Sequence, residues 1–130
     1  MHHALILPLV LAATPALAQS VDTRDGDALI PASELDTRLR GQVLTFFDDG
    51  QSHFYNDGRY TYAYALGEGG YAYGYFEVTG DSTVCIDYVN GFNRCDVFVE
   101  NGGRLVLITG EGDRFPIRSA EDAGPDPAMD

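Results

Sequence analysis

The sequence predicts an all-β fold, an antiparallel up-and-down meander of about eight strands curled or closed into a barrel, with one short N-terminal helix. Two observations carry this expectation. Beyond Gly41, runs rich in aromatic and β-branched residues recur about every ten residues. Asp-Gly, Asn-Gly and Gly-Gly pairs punctuate them, and such pairs form tight turns because glycine and its neighbour accept positive φ. Short consecutive strands joined by tight turns pair antiparallel, and closure removes their exposed edges.

The first stretch, MHHALILPLVLAATPALAQ, has an apolar run from Ala4 to Ala13, then Pro15 and the small-residue pattern Ala16-Leu17-Ala18. This is the layout of a secretory leader, residues 1–18, cleaved after Ala18; His2 and His3 stand where Lys or Arg is usual. The run is much shorter than the roughly 20 apolar residues that cross a bilayer, so no transmembrane anchor is expected after cleavage. With 130 − 18 = 112 residues left, the remaining chain is one domain with a modest core. Its two cysteines, Cys85 and Cys95, read as a disulfide, because an exporting compartment is oxidising and two ligands do not close a metal shell. Periplasmic or secreted localisation follows from the leader and the cysteine pair together.

Residues 19–31 are polar and turn-rich and read as a flexible lead. A short helix follows at 33–40. Ser33 is placed to cap it, Arg38 and Arg40 sit at its C-terminal end, Gly41 closes it, and Leu35 and Leu39 share a face. Strands are expected at 42–47, 51–56, 59–65, 71–79, 82–89, 94–100, 104–109 and 114–119, which makes residues 32–120 a barrel-like domain of the small lipocalin/calycin kind. Residues 121–130, acidic and proline-containing, read as a disordered tail.

Turn positions set an expected register. A two-residue turn at Asp57-Gly58 places Tyr55 opposite Tyr60; a symmetric loop places Tyr60, Tyr62 and Tyr64 opposite Tyr75, Tyr73 and Tyr71; a turn at Gly80-Asp81 places Tyr73 opposite Tyr88 and Phe76 opposite Cys85. Side chains alternate along a strand, so one face would carry His53, Tyr55, Tyr60, Tyr62, Tyr64, Tyr71, Tyr73, Tyr75 and Tyr88, with Glu77. The other would carry Phe54, Ala63, Ala65, Ala72, Gly74, Phe76, Val78 and Cys85, joined by Cys95, Val97 and Val99. On this reading the disulfide face is the core and the tyrosine face is outward or wet; the alternative has tyrosines filling the barrel interior.

The tyrosine face is the candidate binding surface for a protein partner or small-molecule ligand, since aromatic area binds at low entropic cost; cross-strand packing is the plainer explanation. His53 is the one histidine after the leader. With no G-x-S-x-G, free thiol or lysine in the chain, it reads as an ordinary member of that face, a His53–carboxylate hydrolase being the remote alternative. Catalytic residues, metal ligands and cofactors are not expected. Asp48, Asp49, Asp57, Asp81, Asp87, Asp96, Glu111 and Asp113 mostly neighbour glycines and read as turn residues. The formal charge of −12 opposes binding to nucleic acid or anionic membrane.

The order of a short helix, Tyr55-Asn56-Asp57-Gly58, Gly74-Tyr75-Phe76-Glu77-Val78, Gly80-Asp81, Cys85 and Cys95 resembles a group of small exported bacterial β-rich proteins of unassigned activity. That group carries Y-x-x-D-G, then G-x-W-x-V, a Gly-Asp turn and a cysteine pair; here Tyr55 stands one residue nearer to Asp57-Gly58 than in that pattern, and Tyr75 or Phe76 stands at the tryptophan position. The resemblance implies an exported, disulfide-linked β domain. In size, export, single disulfide and acidity the chain also resembles the small periplasmic barrels that inhibit proteases or lysozyme, which implies a cationic enzyme as partner.

Overall fold

A computed structural model of the chain describes residues 23–65 and 69–128. The leader at 1–18, the start of the lead and the last two tail residues lie outside the described residues. The elements are β1 (Asp27–Leu29), α1 (Ala32–Leu39), β2 (Gln42–Phe46), β3 (Gln51–Phe54), β4 (Arg59–Ala63), β5 (Tyr71–Gly80), β6 (Thr83–Tyr88), β7 (Asn93–Asn101), β8 (Arg104–Ile108) and β9 (Arg114–Asp122). From β2 to β9 each strand pairs antiparallel with its successor, and β9 returns to pair with β2. The result is a closed eight-strand up-and-down barrel, and no strand of the meander is left as an edge. β1 is an additional strand that pairs with the far end of β7, Leu29 opposite Val99.

α1 stops one end of the barrel. Leu35 and Leu39 are fully buried, one turn apart on the face turned inward. The helix begins after Pro31 at φ −53°, and Ser33 lies inside its first turn, where its carbonyl accepts from Thr37 Oγ1 at 3.1 Å. Ser33 is therefore not the cap expected from composition; the Ala32 N–H is satisfied by Asp81 Oδ1 at 3.1 Å instead. Gly41 does take the closing role, at φ 81°. Arg38 pairs with Glu100 at 2.9 Å, and Arg40 pairs with Asp36 at 2.7 Å while its guanidinium lies 4.8 Å from the Phe76 ring centre. Above the leucines, Phe54 meets Phe76 at 5.0 Å and Phe98 at 6.3 Å, both edge-on, with Leu44, Val84, Ile86, Leu105 and Ile117 around them.

The described parts of the lead and of the tail make fixed contacts that their composition does not suggest. Asp27, in the expected flexible lead, accepts from Asn101 Nδ2 at 2.7 Å and pairs with Arg114 at 2.8 Å. Ser82, fully buried at φ 56°, exchanges bonds with Ile30: the Ile30 N–H donates to Ser82 Oγ at 2.7 Å and the Ser82 N–H donates to the Ile30 carbonyl at 2.8 Å. At the other end β9 runs to Asp122, into the stretch expected to be disordered. Beyond it Asp126 accepts from the Asn56 and Asp57 backbone N–H groups, each at 2.9 Å, and the Pro127 carbonyl accepts from Arg59 at 2.9 Å. A carboxylate suits two unpaired turn N–H groups, and composition carries no sign of such a long-range match.

The register departs from expectation by one residue at three successive connections, and a one-residue shift exchanges faces. Between β3 and β4 the turn spans Tyr55 to Gly58, with Tyr55 N–H bonded to the Arg59 carbonyl and Gly58 at φ 98°, so Phe54 rather than Tyr55 faces Tyr60. Between β4 and β5, Tyr60 faces Gly74 and Tyr62 faces Ala72. Between β5 and β6, the turn is Asp81-Ser82 with a bulge at Thr79, so Phe76 faces Ile86 and Glu77 faces Cys85. The expected single tyrosine face is thereby divided. Tyr60, Tyr62 and Tyr88 point into the barrel, and Tyr64, just past β4 and 54% exposed, stands at its mouth, whereas Tyr55, Tyr71, Tyr73, Tyr75 and His53 share the outer face.

Cys85 and Cys95 do form the expected disulfide, directly opposite each other on β6 and β7, but on the outer face. The expectation that the disulfide face is the core is thus overturned. Phe54, Ala72, Gly74, Phe76 and Val78 are interior as expected. Val97 and Val99 are buried too, but in a separate cluster with Val106 and Ile108 on the outer side of β7 and β8.

Candidate functional site: a tyrosine-lined cavity in the barrel mouth

At the end opposite α1 the interior opens into a cavity of about 260 Å³, lined by Phe46, Tyr60, Tyr62, Tyr64, Tyr88, Arg94 and Asp96, with Asp48, Ser52, Leu107 and Phe115 completing it. The floor is Tyr60, 5% exposed, its ring 5.1 Å from Phe54 and 6.1 Å from Tyr88. Gly74 makes that arrangement possible. It lies between Tyr60 on β4 and Tyr88 on β6, and any side chain there would press on the Asp87 carbonyl. Higher up, Tyr62 and Tyr64 meet edge-to-face, ring centres 5.0 Å apart at 85°, and Tyr62 lies 6.2 Å from Phe46. The Tyr62 hydroxyl packs against Gly50, where a Cβ would displace it.

The polar groups are placed with equal economy. Ser52 Oγ and the Tyr60 hydroxyl are 2.8 Å apart and satisfy each other in the buried floor. Arg94 grips Asp96 by two parallel bonds, Nε to Oδ2 and Nη2 to Oδ1, each 2.8 Å. Asp48 Oδ1 accepts from the Gly50 N–H at 2.8 Å. Burial pushes the Tyr60 phenol well above its ordinary range. It raises Tyr62 as well, aided by the Asp48 charge, and it raises Tyr88, so these hydroxyls remain protonated donors at neutral pH.

The outer group is different in kind. His53 stacks on Tyr55 at 3.7 Å and 16°, and burial holds its imidazole below the ordinary range, so it is neutral at pH 7. Arg59 lies 4.9 Å from the Tyr55 ring centre. Tyr71, Tyr73 and Tyr75 stand 63%, 54% and 55% exposed along β5, the first two loosely stacked at 6.1 Å.

Sequence reasoning named four tyrosines of the cavity but missed Arg94 and treated Asp96 as a turn residue; it lies inside β7, 6% exposed. Its signal was present in Arg94-Cys95-Asp96: once Cys95 points outward, its neighbours point in. Among the described residues no three His, Cys, Asp or Glu side chains converge as a metal cluster, and no helix is long and apolar enough to cross a membrane. Comparison with known protein families, curated proteins and solved structures finds no match.

Proposed function

We propose that the chain is an exported, non-enzymatic binding protein that holds a small molecule in the mouth of its barrel. The observation that carries this reading is the cavity itself: a closed barrel stopped at one end by α1, with aromatic walls and a few fixed polar groups at the other. A core built only for stability would fill that space, because voids forfeit packing energy. Binding rather than turnover is favoured by placement. Ser52 is committed to Tyr60, and His53 lies on the opposite face of the same strand, so the two do not meet as nucleophile and base. The disulfide and the leader-like first residues favour the periplasm or the exterior.

The test is retention. Protein incubated with extract of the producing cells, desalted, then denatured, should release a defined small molecule detectable by mass spectrometry. Tyr62→Ser should lose it and Tyr73→Ser should keep it; equal retention by both variants places the site elsewhere. The exposed row Tyr71, Tyr73 and Tyr75 favours a second reading, a protein partner on the outer face. The inhibitor class is one form of it, and loss of co-purified protein in Tyr73→Ser alone would support it.

A further inference from the structure

We propose that the ligand of the barrel mouth is a small organic cation, an ammonium group carried on an alkyl or aryl body. The inference rests on the luminal site argued above and names its ligand class. Charge bookkeeping points this way. Arg94 and Asp96 neutralise each other through a two-point grip, and Asp96 has only 8% of its side chain exposed. An anionic ligand reaching the remaining N–H groups of Arg94 would therefore meet an ion pair with no net positive charge.

Asp48 is the charge left over. The chain has eight arginines and no lysine, and among the described residues none of those arginines pairs with Asp48. Its neighbour Asp49 is matched by Arg118 at 2.7 Å. The cavity therefore carries one unmatched negative charge at its rim, within a chain of net charge −12.

The aromatic lining adds an independent reason. Tyr62 and Tyr64 stand near right angles and Phe46 tilts against Tyr62 at 56°, so the cavity is walled by rings in several orientations. Ring faces are electronegative and attract an ammonium group, more strongly when water is excluded. A neutral ligand would use the apolar area but would lack the charge attraction to Asp48 and to the ring faces.

Two probes of the same shape separate these cases: choline and its uncharged carbon isostere 3,3-dimethylbutan-1-ol, each titrated into the protein while the tyrosine ring signals are followed by NMR. Choline should shift Tyr62, Tyr64 and Tyr88 saturably and bind about tenfold more tightly than the isostere. Asp48→Asn should reduce that preference several-fold, whereas Glu121→Gln, the same charge change on the outer face, should leave it unchanged. Equal affinity for the two probes overturns the cation inference and leaves luminal binding standing. Saturable shifts confined to Tyr71, Tyr73 and Tyr75, or none with either probe, overturn luminal binding as well.

Discussion

Replacing the disulfide tests both its energetic role and the face on which it lies. Cys85 and Cys95 are separated by 10 residues, a span for which loop-closure entropy gives a stabilisation of about 2.7 kcal/mol. At roughly 4–8 °C per kcal/mol for a domain of this size, losing it should lower Tm by about 10–20 °C. Because the bond lies on the outer face, with Cys95 exposed and Cys85 half-buried, its loss should leave the lumen intact. The face is tested by shape-matched pairs, Cys85→Val with Cys95→Val against Cys85→Thr with Cys95→Thr. On an outward face the two should differ by less than about 1 kcal/mol, since surface changes of this kind are small. In a core the threonine pair would bury two additional hydroxyls at about 1–3 kcal/mol each. Urea denaturation of both pairs and thermal melts of the native protein with and without reductant measure all three quantities. A threonine pair more than about 2 kcal/mol less stable than the valine pair would refute the outward register, and an unchanged Tm on full reduction would refute the entropic estimate.

Two further outcomes follow from buried polar pairs. Tyr60→Phe should cost about 1–3 kcal/mol in urea denaturation by stranding Ser52 Oγ, and adding Ser52→Ala should recover most of that loss. Asp27 is held far below the ordinary carboxylate range, first by its hydrogen bonds to Arg114, against an opposing effect of burial. A depressed carboxyl stabilises the fold fully above the unfolded value near 4, and the gain is lost as pH falls from there towards the folded value. The urea midpoint of the native protein should therefore exceed that of Asp27→Asn at pH 7, and the gap should shrink as pH is lowered below about 4; a gap independent of pH would sink the assignment.

The fold was legible because its signals are local. Turn pairs such as Asn90-Gly91 and Gly102-Gly103 mark the connections by their need for positive φ, and Gly91 and Gly103 adopt it, at 90° and 82°. The cysteine pair was legible as a pairing because a hairpin around Asn90-Gly91 brings its ends together. Register was not legible, because it hangs on single residues whose backbone choice is unusual. Ser82 enters the left-handed region, a conformation rare outside glycine, and is held there by bonds to Ile30 and Phe98 that are distant in sequence. Each such choice moves the pairing by one and exchanges the faces of every residue beyond it. The contacts of Asp27 and Asp126 were not legible for a related reason. The acidic composition around them looks solvated, yet Asp27 and Asp126 each meet donors on strands far away in sequence.

Lumen volume decides where the tyrosines go. If Tyr60 and Tyr62 faced Tyr75 and Tyr73 inside the barrel, three successive strands, β4, β5 and β6, would deliver large rings to one part of a small interior. The observed register sets Tyr60 against Gly74 and Tyr62 against Ala72, so each inward ring fills the space that its small neighbour leaves. Tyr88 then closes over Gly74 from the other side. The small residues between the tyrosines of β5 are thus the feature that turns Tyr71, Tyr73 and Tyr75 outward, and the tyrosine run divides into two surfaces with separate chemistry. Tyr60, Tyr62 and Tyr88 are buried or half-buried and wall a charged cavity with Tyr64 exposed at its rim, while Tyr71, Tyr73 and Tyr75 are open to solvent. A single substitution on each surface, Tyr62→Ser inside and Tyr73→Ser outside, consequently interrogates separately two surfaces that the alternating sequence presents as one.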